Sequence, residues 1–132
     1  MIVGVVNDSF EATVELTVCG PGGQEERLEF VVDTGFAGTI SLHPAVAAAL
    51  GLPYVGQVTA RLADGSLVPM TIRAAQLLWN GGVRDVSVDI AENVSMIGMN
   101  LLAGHEFYMR TVPGGEVLTS APSDFVQAPH PG

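Results

Sequence analysis

Residues 30–42 limit the possible folds more than any other part of the chain. They begin as an apolar run rich in β-branched residues, which predicts a buried strand. The run ends at Asp33, and a carboxylate at the end of a core strand is costly to bury unless it is hydrogen-bonded or takes part in chemistry. Thr34 adds a hydroxyl, and Gly35 allows a sharp turn and the close approach of another chain. Because Asp and Gly are also common in ordinary turns, these three residues alone leave a functional site and a simple turn equally open.

A second apolar segment, residues 94–102, has a strand-like part that ends at Gly98 and then a short predicted helix. Together with residues 33–38, it resembles the bacterial form of the retropepsin-like aspartic proteases. Members of that family have an apolar strand that runs into Asp-Thr-Gly. Later they have a hydrophobic pair, Gly, any residue, Asn or Asp, and two aliphatic residues. Residues 96–102 match this second pattern at every position, and the resemblance covers roughly residues 10–112.

The resemblance implies which residues form the site. It assigns catalysis to Asp33, Thr34 and Gly35, and substrate binding to Phe36, Ala37, Ala63, Asp64, Gly65, Ser66, Ile97 and Gly98. Asp-Thr-Gly occurs once in the sequence, whereas an aspartic protease needs two carboxyl groups that share one proton. We therefore expect a homodimer in which Asp33 meets its counterpart across a two-fold axis, and Thr34 bonds across that axis. The implied activity is hydrolysis of peptide bonds in extended, apolar-rich segments that bind like an added strand.

A hairpin is predicted around Asp64 and Gly65, because Asp-Gly lies between two strand-like runs, residues 57–63 and 66–74. Between its two motifs, the resembled family has a flap, which is a mobile hairpin that closes over the substrate. An ordinary surface hairpin is the alternative. Pro69 fits an exposed hairpin better than a central strand, because proline cannot donate a hydrogen bond to its neighbour.

Alternating apolar and polar residues predict further strands, and Gly-rich turns connect them as hairpins. The remaining predicted strands are residues 2–6, 10–19, 25–32, 39–42, 75–79, 83–90, 107–112 and 116–119. Pro44 and Gly51 mark the ends of a short helix after His43, and Asn100 is predicted to cap a second helix. The predicted fold class is therefore mostly β, a closed barrel-like sheet of hairpins with one or two short helices. Residues 1–119 are predicted to form one domain, and residues 120–132 a flexible tail.

Charge and composition restrict the kinds of molecule that the protein can bind. The net charge of −9, with only five basic residues, disfavours nucleic acids and anionic membranes, which both require clustered Lys and Arg. The single cysteine, Cys19, excludes an internal disulfide. We expect no metal or cofactor, because the sequence has neither a Cys/His ligand cluster nor a phosphate loop. Residues 1–6 lack a basic region and are too short for a signal peptide or a membrane span, so we expect a cytoplasmic protein.

Four positions differ from what the resembled family usually has, three of them from its retroviral members. Those proteins have two acids shortly after Asp-Thr-Gly, and the first pairs with an Arg that follows the second-motif Gly. Here Ala37, Gly38 and Met99 occupy the matching positions, and Phe36 replaces a small residue. These differences leave a second function open, a catalytically silent module of the same fold that dimerises or binds a peptide strand.

Overall fold

The computed structural model describes residues 1–122 of the 132-residue chain. This part of the chain contains ten strands and two short helices. The strands are β1 (Ile2–Val6), β2 (Ala12–Cys19), β3 (Glu25–Val32), β4 (Ile40–Leu42), β5 (Tyr54–Arg61), β6 (Leu67–Trp79), β7 (Gly82–Ile90), β8 (Met96–Ile97), β9 (Glu106–Met109) and β10 (Glu116–Ser120). The helices are α1 (Pro44–Ala49) and α2 (Met99–Leu102). Neither helix has the length and apolar character needed to cross a membrane.

Six strands form a closed barrel. They pair in the order β2, β3, β8, β4, β7 and β6, and β6 pairs with β2 to complete the ring. This last pairing joins Val18 to Leu77 and Cys19 to Gln76. Val18 and Leu77 are both fully buried, so apolar burial stabilises the closure. The predicted fold class, a mostly β barrel with short helices, is therefore confirmed.

The alternation in β2 explains how this strand builds the core. Ala12, Val14, Leu16 and Val18 are buried, because successive side chains of a strand point to opposite faces. Thr13 lies on the other face but is also buried, and its hydroxyl donates to the backbone carbonyl of Val5 at 2.7 Å. The neighbouring strand β1 therefore supplies the hydrogen-bond partner of this buried hydroxyl.

The strand β6 differs from the prediction. Two strands were predicted, residues 66–74 and 75–79, but one continuous strand of 13 residues is present. Its first half pairs with β5 and its second half with β7, and Ile72 and Arg73 pair with both. Because no turn residue interrupts the sequence between these halves, the backbone stays extended while its partner changes.

The terminal strands extend the sheet beyond the barrel. The strand β1 lies between β2 and β10, and β9 forms the outer edge. Ser120 is the last residue of β10 and Ala121 is buried, so these first two residues of the predicted tail continue the sheet and its packing. Pro122 is exposed, and residues 123–132 of the predicted tail lie outside the described residues.

The two helices begin differently. His43 precedes α1, and its Nδ1 accepts a hydrogen bond from the Ala45 N–H at 3.0 Å, as expected for a capping residue. The helix α2 begins after Gly98, and Asn100 lies inside it. The prediction that Asn100 caps this helix is therefore wrong. Its side chain accepts a hydrogen bond from the Thr39 hydroxyl instead.

Candidate active site

Asp33 lies directly after β3, at the point where this strand leaves the barrel. The strand β3 runs parallel to β8, with Val32 opposite Ile97, and the Asp33 N–H donates to the Ile97 carbonyl at 3.0 Å. The Gly35 N–H donates to Oδ1 of Asp33 at 2.9 Å. Within residues 1–122 no other hydrogen bond reaches this carboxylate, which is partly exposed. One carboxylate oxygen is thus held by the loop and the other is free to interact with a ligand.

The loop after Asp33 is fixed by the second motif. Three backbone N–H groups of that motif donate to loop carbonyls: Gly98 to Thr39 at 2.9 Å, Met99 to Phe36 at 2.8 Å, and Asn100 to Gly38 at 3.1 Å. The Thr39 hydroxyl also donates to Oδ1 of Asn100 at 2.9 Å. Asn100 therefore ties α2 to the loop with both its backbone and its side chain. The two sequence motifs form one structural unit.

Phe36 packs on two glycines of this unit. A Cβ atom on Gly38 would lie 2.6 Å from the Phe36 ring, and one on Gly98 would lie 2.7 Å from the ring and 2.1 Å from the Gly38 carbonyl oxygen. These distances are far shorter than a normal contact. The bulky ring is therefore accommodated because both neighbours lack a side chain. Ala37, between Phe36 and Gly38, is exposed.

A groove of about 390 Å³ lies beside Asp33 and Thr34. Its apolar side chains come from four separate segments: Phe10, Val32, Val94, Met96, Phe107 and Met109. Phe10 and Val94 are 58% and 61% exposed. The backbone of Phe10 also has a φ of 62°, which is unfavourable for a bulky residue. An exposed apolar surface therefore lies directly beside Asp33.

The hairpin predicted around Asp64 is present, but its turn is longer than predicted. The strand β5 ends at Arg61 and β6 begins at Leu67, so Ala63 and Ser66 belong to the turn and not to the strands. The Asp64 Oδ1 accepts from the Ser66 N–H at 2.9 Å and from its hydroxyl at 2.6 Å. These hydrogen bonds lower the pKa of Asp64.

All four predicted site residues of this turn, Ala63 to Ser66, are exposed. Gly65 has a φ of +85°, a conformation that glycine adopts without strain. In the described part of the chain, no hydrogen bond joins this turn to the Asp33 loop. The structure thus brings together the predicted site residues of the two motifs, and no hydrogen bond among the described residues connects the turn to them.

Ile97 and Gly98 lie behind the loop. Ile97 is 1% exposed and belongs to the core, and Gly98 is also buried. In a single chain these two residues support the loop from the barrel side. Their role in substrate binding stays a prediction.

Two polar residues that the sequence patterns did not indicate lie on the same side of the sheet as the groove. Asp89 in β7 is opposite Ser41 in β4, and Ser41 is opposite Met96 in β8. Directly opposite residues of neighbouring strands share a face, and Met96 lines the groove. The alternation of apolar and polar residues in β7 places Val86 and Val88 on the core face and Asp89 on the opposite face. This alternation could not show which strand would lie beside Asp89.

The described residues hold no group of three His, Cys, Asp or Glu side chains placed to bind a metal ion. Cys19 lies in a separate depression of about 530 Å³ that contains none of the predicted site residues. Burial, and to a lesser extent the charge of Glu25, raise the pKa of the Cys19 thiol. Because the thiolate is the nucleophilic form, Cys19 is not suited to nucleophilic catalysis.

Comparison with known proteins agrees with this geometry. A family model described as aspartyl protease matches residues 14–102, which include both motifs. The chain belongs to the aspartyl protease family. Its fold is similar to that of a retropepsin-like aspartic protease from Rickettsia conorii, with a TM-score of 0.55 and 18% sequence identity. The similarity covers 90% of this chain and 89% of the other. No curated protein matches the chain.

For this member of the aspartyl protease family, the resemblance found in the two motifs is therefore confirmed. At 18% identity the structural similarity shows the fold alone.

Proposed function

We propose that the chain is an aspartic endopeptidase that acts as a homodimer, with one Asp33 from each copy in a shared site. The position of Asp33 is the main support for this proposal. The carboxylate lies at the end of a barrel strand, is held through one oxygen by Gly35, and borders a groove. A single chain supplies one such acid, and two are needed for the reaction.

The proposed chemistry uses two carboxyl groups that share one proton. One Asp33 is ionised and takes a proton from the attacking water, while the other is protonated and donates to the carbonyl oxygen of the substrate. Two carboxyl groups about 3 Å apart cannot both ionise, so the two pKa values belong to the pair. The exposed Thr34 hydroxyl, next to Asp33, is available to bond across the two-fold axis.

The apolar groove supports the proposed dimer. Phe10, Val94 and the β9 residues Phe107 and Met109 border it together with Asp33 and Thr34. If the axis passes close to Asp33, this surface is covered by the second copy. Burial of exposed apolar surface would then stabilise the dimer by roughly 25 cal/mol per Å² of apolar area.

The proposed substrate is an extended, apolar-rich peptide segment that binds next to the Asp33 loop. Phe36, Ala37, Ile97 and Gly98 would shape the cleft on the loop side. The turn of residues 63–66 would act as a flap, because it is exposed and lies at the end of a two-stranded arm. The backbone N–H groups of the turn would then bond to the substrate chain as in an added strand.

Asp33→Asn tests the proposal. The variant keeps the shape and the Gly35 hydrogen bond but cannot share a proton, so cleavage of a denatured protein should fall by at least about 10³-fold. Sedimentation should still show a dimer. Asp8→Asn, which changes an exposed acid in a turn, is the matched control and should keep full activity. A statine-type transition-state mimic should inhibit the wild type.

Two results would contradict the proposal. One is undiminished cleavage by Asp33→Asn. The other is full activity of a protein that sediments only as a monomer, because a monomer contains one acid of the dyad.

The second candidate is a catalytically silent module that dimerises or binds a peptide. It is favoured by Phe36, whose ring packs against Gly38 and Gly98 where the resembled family has a small residue. If the wild type dimerises or binds peptides but cleaves none, and Asp33→Asn changes neither property, this second function is the correct one.

A further inference from the structure

Asp89 is an acid that has no partner among the residues the structure describes. Its carboxylate is half-buried, and burial raises the pKa of Asp89. Within residues 1–122 no hydrogen bond or ion pair reaches it. Of the five arginines, four have other partners: Arg27 bonds to Glu15, Arg61 to Gly65, Arg73 to Leu52 and Arg84 to Leu101. Burying a carboxylate without a cation costs free energy of folding, and a functional role would explain why Asp89 is present.

The position of Asp89 connects it to the proposed site. A Cβ atom on Gly38 would lie 3.2 Å from Oδ2 of Asp89, so the carboxylate lies against the loop that follows Asp33. Because Gly38 has no side chain, it leaves the space for this carboxylate.

Ser41 adds a second polar group at this place. It lies opposite Asp89 in the neighbouring strand and is 1% exposed. Its hydroxyl is buried and has no hydrogen-bond partner in the described part of the chain. Buried polar groups are nearly always hydrogen-bonded. Because the Ser41 hydroxyl is enclosed, another molecule cannot reach it, whereas the half-buried Asp89 carboxylate beside it can accept hydrogen bonds from one.

We propose that Asp89 is a specificity-determining residue that binds a cationic side chain, Arg or Lys, of the peptide substrate. This inference rests on the proposed function. The substrate cation donates to the Asp89 carboxylate and neutralises it, at a position near residues 36–38 and away from the scissile bond. The apolar residues at the cut are then accompanied by one basic residue farther along the peptide.

Cationic ligands fit this place better than neutral or acidic ones. An acidic side chain would meet Asp89 and a protein with a net charge of −9, which is repulsive. An apolar side chain would leave the Asp89 carboxylate unpaired. A charged hydrogen bond in a partly desolvated place is stronger than one in water, so the preference should be measurable.

The test compares peptides that carry either Arg or citrulline, a neutral residue of nearly the same shape, at each position near an apolar cut. In the wild type, Arg should be favoured at one position by about tenfold or more in kcat/KM. In Asp89→Asn this ratio should fall to within about twofold of unity. Asp85→Asn, which removes an exposed charge from the same strand, is the matched control and should keep the wild-type ratio.

A binding measurement separates this inference from the proposed function. The dissociation constants of the same peptides are measured by fluorescence anisotropy for Asp33→Asn, with and without Asp89→Asn. Absence of cleavage by the wild type would refute the proposed protease activity. An Arg preference in binding that depends on Asp89 would still support the cation-binding role of Asp89. An Arg-to-citrulline ratio near unity in the wild type, or a ratio that Asp89→Asn leaves unchanged in both measurements, would overturn it.

Discussion

The junction of the two motifs makes Gly98→Ala an informative substitution. The backbone of Gly98 has φ −103° and ψ 173°, which alanine adopts without strain. Any loss of stability must therefore come from the added methyl group. This group would lie 2.1 Å from the Gly38 carbonyl oxygen and 2.7 Å from the Phe36 ring. The ring can rotate away, but the carbonyl can move only with the loop.

The expected loss in the free energy of unfolding follows from the displacement of the loop that carries Gly38. The methyl group would be about 1.3 Å closer to the carbonyl than an ordinary contact of 3.4 Å. Overpacking of this kind costs about 1–3 kcal/mol. The displaced loop also weakens the hydrogen bonds from Gly98 to Thr39 and from Asn100 to Gly38, each worth about 1 kcal/mol. We expect a loss of about 2–4 kcal/mol, a large part of the roughly 5–15 kcal/mol that stabilises a domain.

Urea denaturation followed by circular dichroism measures this loss. Gly56→Ala is the matched control, because a Cβ at Gly56 meets no atom within 4 Å, and its stability should change little. Phe36→Ala in combination with Gly98→Ala should not restore stability, because the contact with the carbonyl remains. If Gly98→Ala unfolds within about 0.5 kcal/mol of Gly56→Ala, the steric reasoning is wrong.

Two further predictions concern stability. In the folded protein burial raises the pKa of Asp89 above its ordinary value of 3.8, so the ionised form opposes folding above the folded pKa. Asp89→Asn should therefore raise the urea midpoint at pH 7, and the gain should vanish below about pH 3.8. A gain that is equal at pH 7 and pH 3 would contradict this. Trp79 donates from Nε1 to Nε2 of His105 at 3.0 Å, so Trp79→Phe should cost about 1 kcal/mol in urea denaturation followed by circular dichroism. An unchanged midpoint would show that this bond adds nothing to stability.

Local sequence patterns predicted most of the fold. The strands β1 and β3 have the predicted bounds, because their alternation and the flanking turns are unambiguous in the sequence. The errors arose where a neighbour decides the structure. The strand β6 stays extended through Arg73 because it changes partner from β5 to β7, and no local pattern contains that information.

The candidate site was only partly predictable for the same reason. Asp33, Gly98 and Asn100 were found because their motifs are continuous in sequence. The bond from Thr39 to Asn100 depends on how the two motifs pack, so Asn100 was mistaken for a helix cap. Asp89 and Ser41 belong to no motif. They are brought together by the parallel pairing of β4 with β7, which is a long-range property.

The short pairing that closes the barrel has a consequence for how the chain folds. Val18 and Cys19 meet Leu77 and Gln76 only after a long intervening segment has been ordered. The entropy of closing such a loop must be lost before this contact can compensate for it. We expect the hairpins on either side to form first, and the long-range pairings of β2 with β6 and of β3 with β8 to complete the ring afterwards.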